Sequence, residues 1–381
     1  MNKIKIPLKR GVLGLFTLVR EPKVRLETAK ALAKLRIKGK RLFMAAYPGY
    51  PGNFSRDSLI YGMLSGDPKA LRAQVKFSAK HQGKRLNSIT GEEPGKIHHE
   101  LPAVVMNNKS SAYNACDTTA LFLLAISNLY NAGHEEVLGL YAKNIKAGLE
   151  YIENHVHDGL FYEDPCYSGA SDYALKVTYW KDSEMNDKEL KPCYPIVYSL
   201  AHFQNAAAVE AIGQALHRSD LVDISRNMMD KGVEHLWAGD HFIVARDGNG
   251  ISIDPFSSDS LYCLLYINPD NIPEGYAESV ENYMKMLETR AGYLTGIACK
   301  DGIDDYHTRY IWTHEQALLH AASKRHSLDK SAQVAARITD FIDTFPELID
   351  PTCGFKPAGN QPQLWAVGAS QYFEDPTQSL L

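Results

Sequence analysis

Residues 117–156 read DTTALFLLAISNLYN, then AGH, then EEVLGLYAKNIKAGLEYIENHV, and they set two kinds of helix side by side. The first, Asp117 to Asn131, carries no charge after its opening aspartate and is apolar nearly all round. The second, Glu135 to Val156, is striped: Leu138, Tyr141, Ile145, Leu149, Ile152 and Val156 return every three or four residues, with Lys and Glu between them. A helix that is apolar all round belongs inside a protein, and a striped one belongs over it.

The same alternation runs along the chain. Hydrophobic period and end signals together predict about twelve helices and few strands. Charge-poor segments rich in Ala, Leu, Ser and Cys start at Ser55, Asp117, Pro195, Ser257, Thr313 and Pro362. Charged, striped segments accompany them at about Pro22–Ile37, Asp67–His81, Glu135–Val156, Ser219–Trp237, Pro273–Thr289 and Leu328–Thr344. Six inner helices alternating with six outer ones predict an all-α fold, one (α/α)6 barrel (a six-hairpin toroid) over residues 1–381, with long irregular loops at its mouth. A solenoid would need a fixed repeat, and the gaps between inner starts are unequal. Within the irregular Ala238–Phe256 stretch, Asp247-Gly248-Asn249-Gly250 predicts a turn joining a short hairpin.

Bulk composition narrows the function. The chain has 381 residues, 45% hydrophobic and 23% charged, with a net charge of −4. That is ordinary globular composition with no electrostatic footprint for nucleic acid, and no apolar run reaches the roughly 20 residues of a membrane span. Basic Lys3–Arg10 and apolar Gly11–Val19 imitate a signal peptide, but Arg20-Glu21-Pro22-Lys23 follows with no small-residue cleavage site, so a cytoplasmic protein is expected. Cys116, Cys166, Cys193, Cys263, Cys299 and Cys353 are scattered with no CxxC, which suits free thiols in a reducing compartment. No pair among His98, His99, His307 and His314 has the one-face helical spacing of a zinc motif, so neither a metal nor another cofactor is expected.

In such a barrel the inner helices run the same way, and the loops before them share one mouth. The unusual polar residues fall there: Arg56-Asp57, Glu93 to Glu100 with Tyr113 and Asp117, Trp180 to Glu184, Tyr306 to His314, and Glu347 with Gln363 to Trp365. The aperiodic stretch from Val156 to Tyr194 is loaded with aromatics, which marks a functional loop rather than a disordered one. Asp182, beside Trp180, is a candidate proton donor, because apolar neighbours raise a carboxyl pKa. Glu347 begins the loop feeding the last inner helix, whose N-terminus favours a charged carboxylate, and so is a candidate base. Glu315 is its rival, though it reads better as a first-turn Glu complementing the helix dipole. Two carboxylates flanking a bond are what glycoside hydrolysis needs. Arg56 and Asp57 would clamp sugar hydroxyls, and Trp180, Trp312 and Trp365 would stack on sugar faces.

These residues resemble the α/α-barrel glycosidases: glucoamylase, the glucosidase domain of glycogen debranching enzymes, processing glucosidase I and neutral invertases. Phe54-Ser55-Arg56-Asp57-Ser58 looks like the Arg-Asp element of glucoamylase. Gly91 to Glu100, followed by Asp117 to Phe122, is similar to a segment of bacterial debranching-enzyme-like glucosidases. Trp180-Lys181-Asp182-Ser183 looks like their acid-bearing loop, and Tyr306-His307 through Trp312 like their Tyr-His-x-x-x-x-Trp element. Pro346-Glu347-Leu348 with Gln363-Leu364-Trp365-Ala366 looks like the base-bearing segment and its closing helix. The resemblance implies an inverting, exo-acting glycosidase on a small α-glucoside or glucosyl conjugate, with Asp182 as acid and Glu347 as base. Arg56, Asp57, Glu93, His98, Tyr113, Asp117, Trp180, Lys181, His307, Trp312, Gln363 and Trp365 are the expected substrate contacts. Thr308-Arg309-Tyr310-Ile311 departs from the pattern; Arg309 and Lys181 would supply cations for an anionic aglycone such as a glycerate. The expected partner is a small carbohydrate, not nucleic acid or a membrane. Two rivals share the barrel: a sugar epimerase using His98, His307 and His314 as proton shuttles, and a barrel that only binds carbohydrate.

Overall fold

The computed structural model describes residues 21–182, 193–297 and 305–376. The expectations placed on Lys3–Arg10, Gly11–Val19, Ser183-Glu184 and Cys299 lie outside the described residues. Among the described residues the α-helices are α1 (Glu21–Leu35), α2 (Ser55–Ser65), α3 (Pro68–Lys80), α4 (Thr118–Asn131), α5 (Glu136–Leu140), α6 (Ala142–His155), α7 (Ser199–Ala215), α8 (Ser219–Leu236), α9 (Asp259–Tyr266), α10 (Tyr276–Met284), α11 (Thr313–Arg325), α12 (Asp329–Ala336) and α13 (Leu364–Glu374).

Every predicted helix has a counterpart, but the segment predicted over Leu328–Thr344 is α-helical only from Asp329 to Ala336 and tightens into a 3-10 turn at Arg337–Asp340, and three further differences are instructive. The segment Glu135–Val156 is two helices: Tyr141 leaves helical geometry (φ −110°, ψ 16°), two residues after Gly139, a poor helix former. The segment predicted from Pro195 starts at Ser199, because Val197–Tyr198 pair instead as a strand with Ala245–Arg246. The segment predicted from Pro273 starts at Tyr276, after Gly275 in the left-handed region at φ 86°.

Burial divides the helices into the two expected classes. All residues from Ser55 to Leu64 of α2 and all of α9 are buried, whereas α3 buries only Leu71, Gln74, Val75 and Ser78. The buried helices pack in succession: α2 on α4, α4 on α7, α7 on α9, α9 on α11 and α11 on α13, while α13 also packs on α2. Each striped helix lies against a buried one, α3 on α2, α8 on α7, α10 on α9, α12 on α11 and α1 on α13. No helix among the described residues is long and apolar enough to cross a membrane.

Short strands set the approach to the buried helices. Asn53–Phe54 pairs with Glu100–Leu101 just before α2. Val197–Tyr198 pairs with the hairpin Ala245–Arg246/Ser252–Ile253 just before α7, and Asp247 closes that turn by accepting from the Asn249 and Ile251 amides. Ile311–Trp312 pairs with Leu348–Asp350, itself paired with Lys356–Ala358, just before α11. The last of these registers brings Glu347 beside the start of α11, where the Thr313 amide donates to the Glu347 carbonyl at 3.3 Å.

Candidate active site

Arg56 sits in the first turn of α2 and grips Asp117, the residue ahead of α4. Its Nε and Nη2 donate to the two carboxylate oxygens at 2.7 and 3.0 Å, and Nη2 also donates to the Thr178 carbonyl at 3.2 Å. Both side chains are buried. Burial alone would favour a neutral guanidinium, but the Asp117 charge and its hydrogen bonds outweigh that and hold Arg56 firmly protonated. This fork ties α2, α4 and the loop leading to Trp180 into one unit. Next along α2, Asp57 accepts from Gln363 Nε2 at 3.2 Å. Desolvation pushes its carboxyl up to about 7, against the pull of Arg56 and with a push from the charge of Glu347.

The Glu347 carboxyl is buried among hydrogen-bond donors. Tyr306 donates its hydroxyl to Oε1 at 2.6 Å, and Asn360 donates its amide N–H and Nδ2 to Oε2 at 2.9 and 2.8 Å. Gly359 makes this cradle possible, since it holds φ +71° and a methyl there would lie 2.5 Å from Oε2. Asp182 differs. Its carboxyl is pushed up to about 6, by desolvation first, with Arg56 opposing and the charges of Glu100 and Asp117 adding to the rise. One hydroxyl links the set. Tyr50 hydrogen-bonds Tyr306, and its own pKa is raised by burial and by the charges of Glu347, Asp182 and Asp57. Three carboxyls far apart in sequence therefore lie within electrostatic reach of Tyr50.

An aromatic wall stands beside them. The Trp180 ring meets those of His314, His307 and Trp312 edge-on at 5.3, 5.7 and 5.8 Å. His307 stacks on Trp312 at 4.9 Å and His314 on Trp365 at 3.7 Å, so one face of each of those tryptophans is already covered. Trp180 Nε1 donates to Asp259 and Trp312 Nε1 to the Tyr306 carbonyl. Trp365 Nε1 and both His314 ring nitrogens are buried without a hydrogen-bond partner among the described residues.

Four expected substrate contacts are placed elsewhere. Lys181 is fully enclosed, its ammonium held by Asp259, Ser257, Ser258 and the Thr295 carbonyl, so it does not face an aglycone. Glu93 belongs to a buried charge network with Lys96 at 3.0 Å and His155 at 2.8 Å, where Lys96 also reaches Glu163. Charge balance in the interior accounts for it, and Lys96 with His155 holds its carboxyl low in spite of burial. His98 bonds Ser55 Oγ at 2.9 Å and packs edge-on against Phe77 and His81. Tyr113 donates to the His81 carbonyl at 2.7 Å, a packing role at the end of α3. Glu315 is more deeply placed than a first-turn surface acid. It contacts the Ser258 and Thr295 hydroxyls, and burial pushes it up to about 7.

The proposed proton shuttles fare poorly too: burial drives His98 down to about 3 and His307 and His314 well below their ordinary range, so all three rest neutral inside the packing. Sequence reasoning passed over Tyr50 and Asn360. Tyr50 had a signal, an aromatic between Gly49 and Pro51 just ahead of Arg56-Asp57; Asn360 had only its place in the turn before α13. Among the described residues, no group of three or more His, Cys, Asp or Glu side chains is placed to share a metal ion.

No protein-family model matches the chain, and no curated protein matches it in sequence. Solved structures do match its fold. The GH63 mannosylglycerate hydrolase from Thermus thermophilus, in complex with glucose, superposes with a TM-score of 0.69 at 13% identity, covering 92% of this chain and 100% of that one. The same enzyme in complex with Tris and D-glycerate gives 0.67 at 12% identity over the same shares. A rhamnosidase from Klebsiella oxytoca with rhamnose bound gives 0.61 at 11% identity, covering 95% of this chain and 65% of that one. At these identities the likeness is one of architecture, and the chain shares the helical fold of these glycosidases.

Proposed function

We propose that the six buried helices close into a single (α/α)6 barrel and that its mouth is the active site of an inverting glycoside hydrolase. The packing of α13 on both α11 and α2 supports closure. The observation that carries the chemistry is the contrast between two carboxyls whose charges both act on the Tyr50 hydroxyl. Asp182 is pushed up to about 6 and so keeps its proton to a higher pH than an ordinary carboxyl, while Glu347 accepts three hydrogen bonds. Pairs of carboxyls in opposed environments are how such sites divide acid from base.

Asp182 gives its proton to the glycosidic oxygen as the bond from that oxygen to the anomeric carbon breaks, and the aglycone leaves as an alcohol. Water attacks the anomeric carbon from the opposite face and loses a proton to Glu347. Asp182 then regains a proton and Glu347 releases one, both by exchange with solvent. Asp57, held by Gln363, and Arg56, held by Asp117, meet the sugar hydroxyls; the aromatic wall bounds the sugar's side. A small α-glucoside or glucosyl conjugate is the proposed substrate. An anionic aglycone is favoured because Arg309 is exposed within the Tyr306–Trp312 element, and a glycosidase of similar fold binds D-glycerate.

The test is a panel of α-linked disaccharides and glucosyl conjugates, glucosylglycerate included, followed by proton NMR. The β-anomer of glucose should appear first. Appearance of the α-anomer would reject a geometry that leaves room for water between carboxyls about 6.5–9.5 Å apart. Asp182→Asn and Glu347→Gln should each slow release by about 10²–10⁴-fold.

A further inference from the structure

Sugar chemistry does not explain why a lysine is enclosed directly beside the proposed proton donor. Enclosing an ammonium costs several kcal/mol unless its donors are met. Lys181 is met fully: Nζ lies 3.1 Å from Asp259 Oδ1, 2.6 Å from Ser257 Oγ, 3.1 Å from Ser258 Oγ and 2.8 Å from the Thr295 carbonyl. Asp259, in the first turn of α9, accepts on the same oxygen from Trp180 Nε1 at 3.0 Å. The two residues immediately before Asp182 thus converge on one carboxylate oxygen of a buried helix.

The cage is itself braced. Ser258 donates its amide to the Thr295 carbonyl at 3.1 Å, and the Ser258 and Thr295 hydroxyls both contact Glu315 on α11. The backbone from Ser171 to Asp182 contains no helix or strand, so side-chain ties must set its course. Asp182 itself is intermediate in exposure.

We propose that Lys181 is a positioning residue: its ammonium, locked by Asp259 and the Ser257–Ser258–Thr295 cage, fixes the loop that aims Asp182 at the glycosidic oxygen. This rests on the reading of Asp182 as the acid. A methionine would fill the same space without directional ties, so the aim should suffer more than the fold. A misplacement of about 1 Å costs on the order of 10²-fold in rate.

The experiment compares the wild type with Asp182→Asn, Lys181→Met and the double variant Lys181→Met/Asp259→Asn. Each is assayed on an alkyl α-glucoside, whose leaving group needs a proton, and on α-glucosyl fluoride, whose leaving group does not. Lys181→Met should follow Asp182→Asn, losing about 10²-fold in kcat on the alkyl glucoside, changing little on the fluoride and moving KM little. The double variant, freed of the unpaired buried carboxylate, should regain unfolding midpoint without regaining the alkyl-glucoside rate. Equal slowing of both substrates by Lys181→Met, or recovery of the alkyl rate in the double variant, overturns the positioning role.

If Asp182→Asn itself slows both substrates equally, or the wild type cleaves neither, the reading of Asp182 as acid fails instead. The tie is then judged by hydrogen exchange on the full chain. The peptide 173–182 should exchange about tenfold faster in Lys181→Met while 199–215 stays unchanged. An unchanged 173–182 peptide overturns the proposal whatever the activity.

Discussion

Gly359→Ala puts the placement of Glu347 to a direct test. A methyl at 359 would lie 2.5 Å from Glu347 Oε2, 2.9 Å from its Cβ and 3.2 Å from its Cδ. Ordinary contact needs about 3.4 Å or more, so the carboxyl must retreat by about 1 Å. That retreat stretches the two Asn360 bonds, now 2.8 and 2.9 Å, past useful length. Each hydrogen bond to a charged group is worth about 1.5–3 kcal/mol, though water replaces part of the loss. Holding alanine at φ +71° adds roughly 1–2 kcal/mol. The expected result is a loss of about 2–4 kcal/mol in unfolding free energy and a fall of about 10²-fold in kcat. Gly354→Ala is the control, because Gly354 holds φ +74° in the same connection with nothing within 4 Å. It should cost only the backbone strain and leave kcat unchanged. Urea midpoints and initial rates on the best substrate of the panel measure both. Should Gly359→Ala turn over as fast as Gly354→Ala, the rate does not depend on where Glu347 sits, and its assignment as base is wrong.

Tyr306→Phe removes the 2.6 Å hydroxyl bond to Glu347 Oε1 and should lower kcat by about 10–10²-fold with a small change in Tm; an unaltered kcat counts against the cradle. Arg56→Lys keeps the charge but loses the two-pronged grip on Asp117, and should lower unfolding free energy by about 2–3 kcal/mol in urea melts; an unchanged midpoint would show that the fork does not support the fold. With Asp182 near 6, rates should fall as pH rises through about 6 and the donor loses its proton, measured as an initial-rate profile. Asp57 and Glu315, both raised to about 7, stay protonated in the folded chain where the unfolded chain has ionised. Their contribution is therefore complete below the ordinary carboxylate range and lost as pH climbs through about 7, so Glu315→Gln should flatten the decline of the urea midpoint between pH 5 and 8.

Much of this architecture was legible because burial leaves a periodic trace. The apolar run of α4 and the stripe of α6 announced an inside and an outside, and the same contrast located the buried helices from α2 to α13. Arg56 and Asp57 at the start of α2 feel the charges of Asp182 and Glu347 respectively, a nearness that their places at or ahead of the starts of buried helices made legible. What stayed hidden were partners supplied by distant chain. Lys181 reads as an outward cation because lysines rarely enter the interior; only Asp259, 78 positions on, makes its enclosure affordable. Glu93 misled for the same reason, its partner His155 lying on α6. Hydrophobic period reports how deep a position lies, never which remote charge it will find there.

Asp57 shows which force decides protonation at this mouth. Asp57 lies in the first turn of α2, where the helix dipole favours a charged carboxylate by about 0.3–1 kcal/mol, and Arg56 is its chain neighbour. Both should hold it ionised. Its carboxyl nevertheless rises to about 7, because desolvation outweighs the cation, whose two strongest bonds are spent on Asp117. Glu347 is buried as well, with a different set of donors: Tyr306 and Asn360 give its carboxyl three hydrogen bonds, whereas the side-chain donor to Asp57 is Gln363. The helix termini collect the carboxyls at one place, and at Asp57 the hydrogen-bond donor and burial pull in opposite directions. By that logic Gln363→Leu, which takes the side-chain donor from Asp57, should raise its carboxyl further above 7 as followed by carbonyl NMR titration. A fall below its present value would mean that burial is not what sets it.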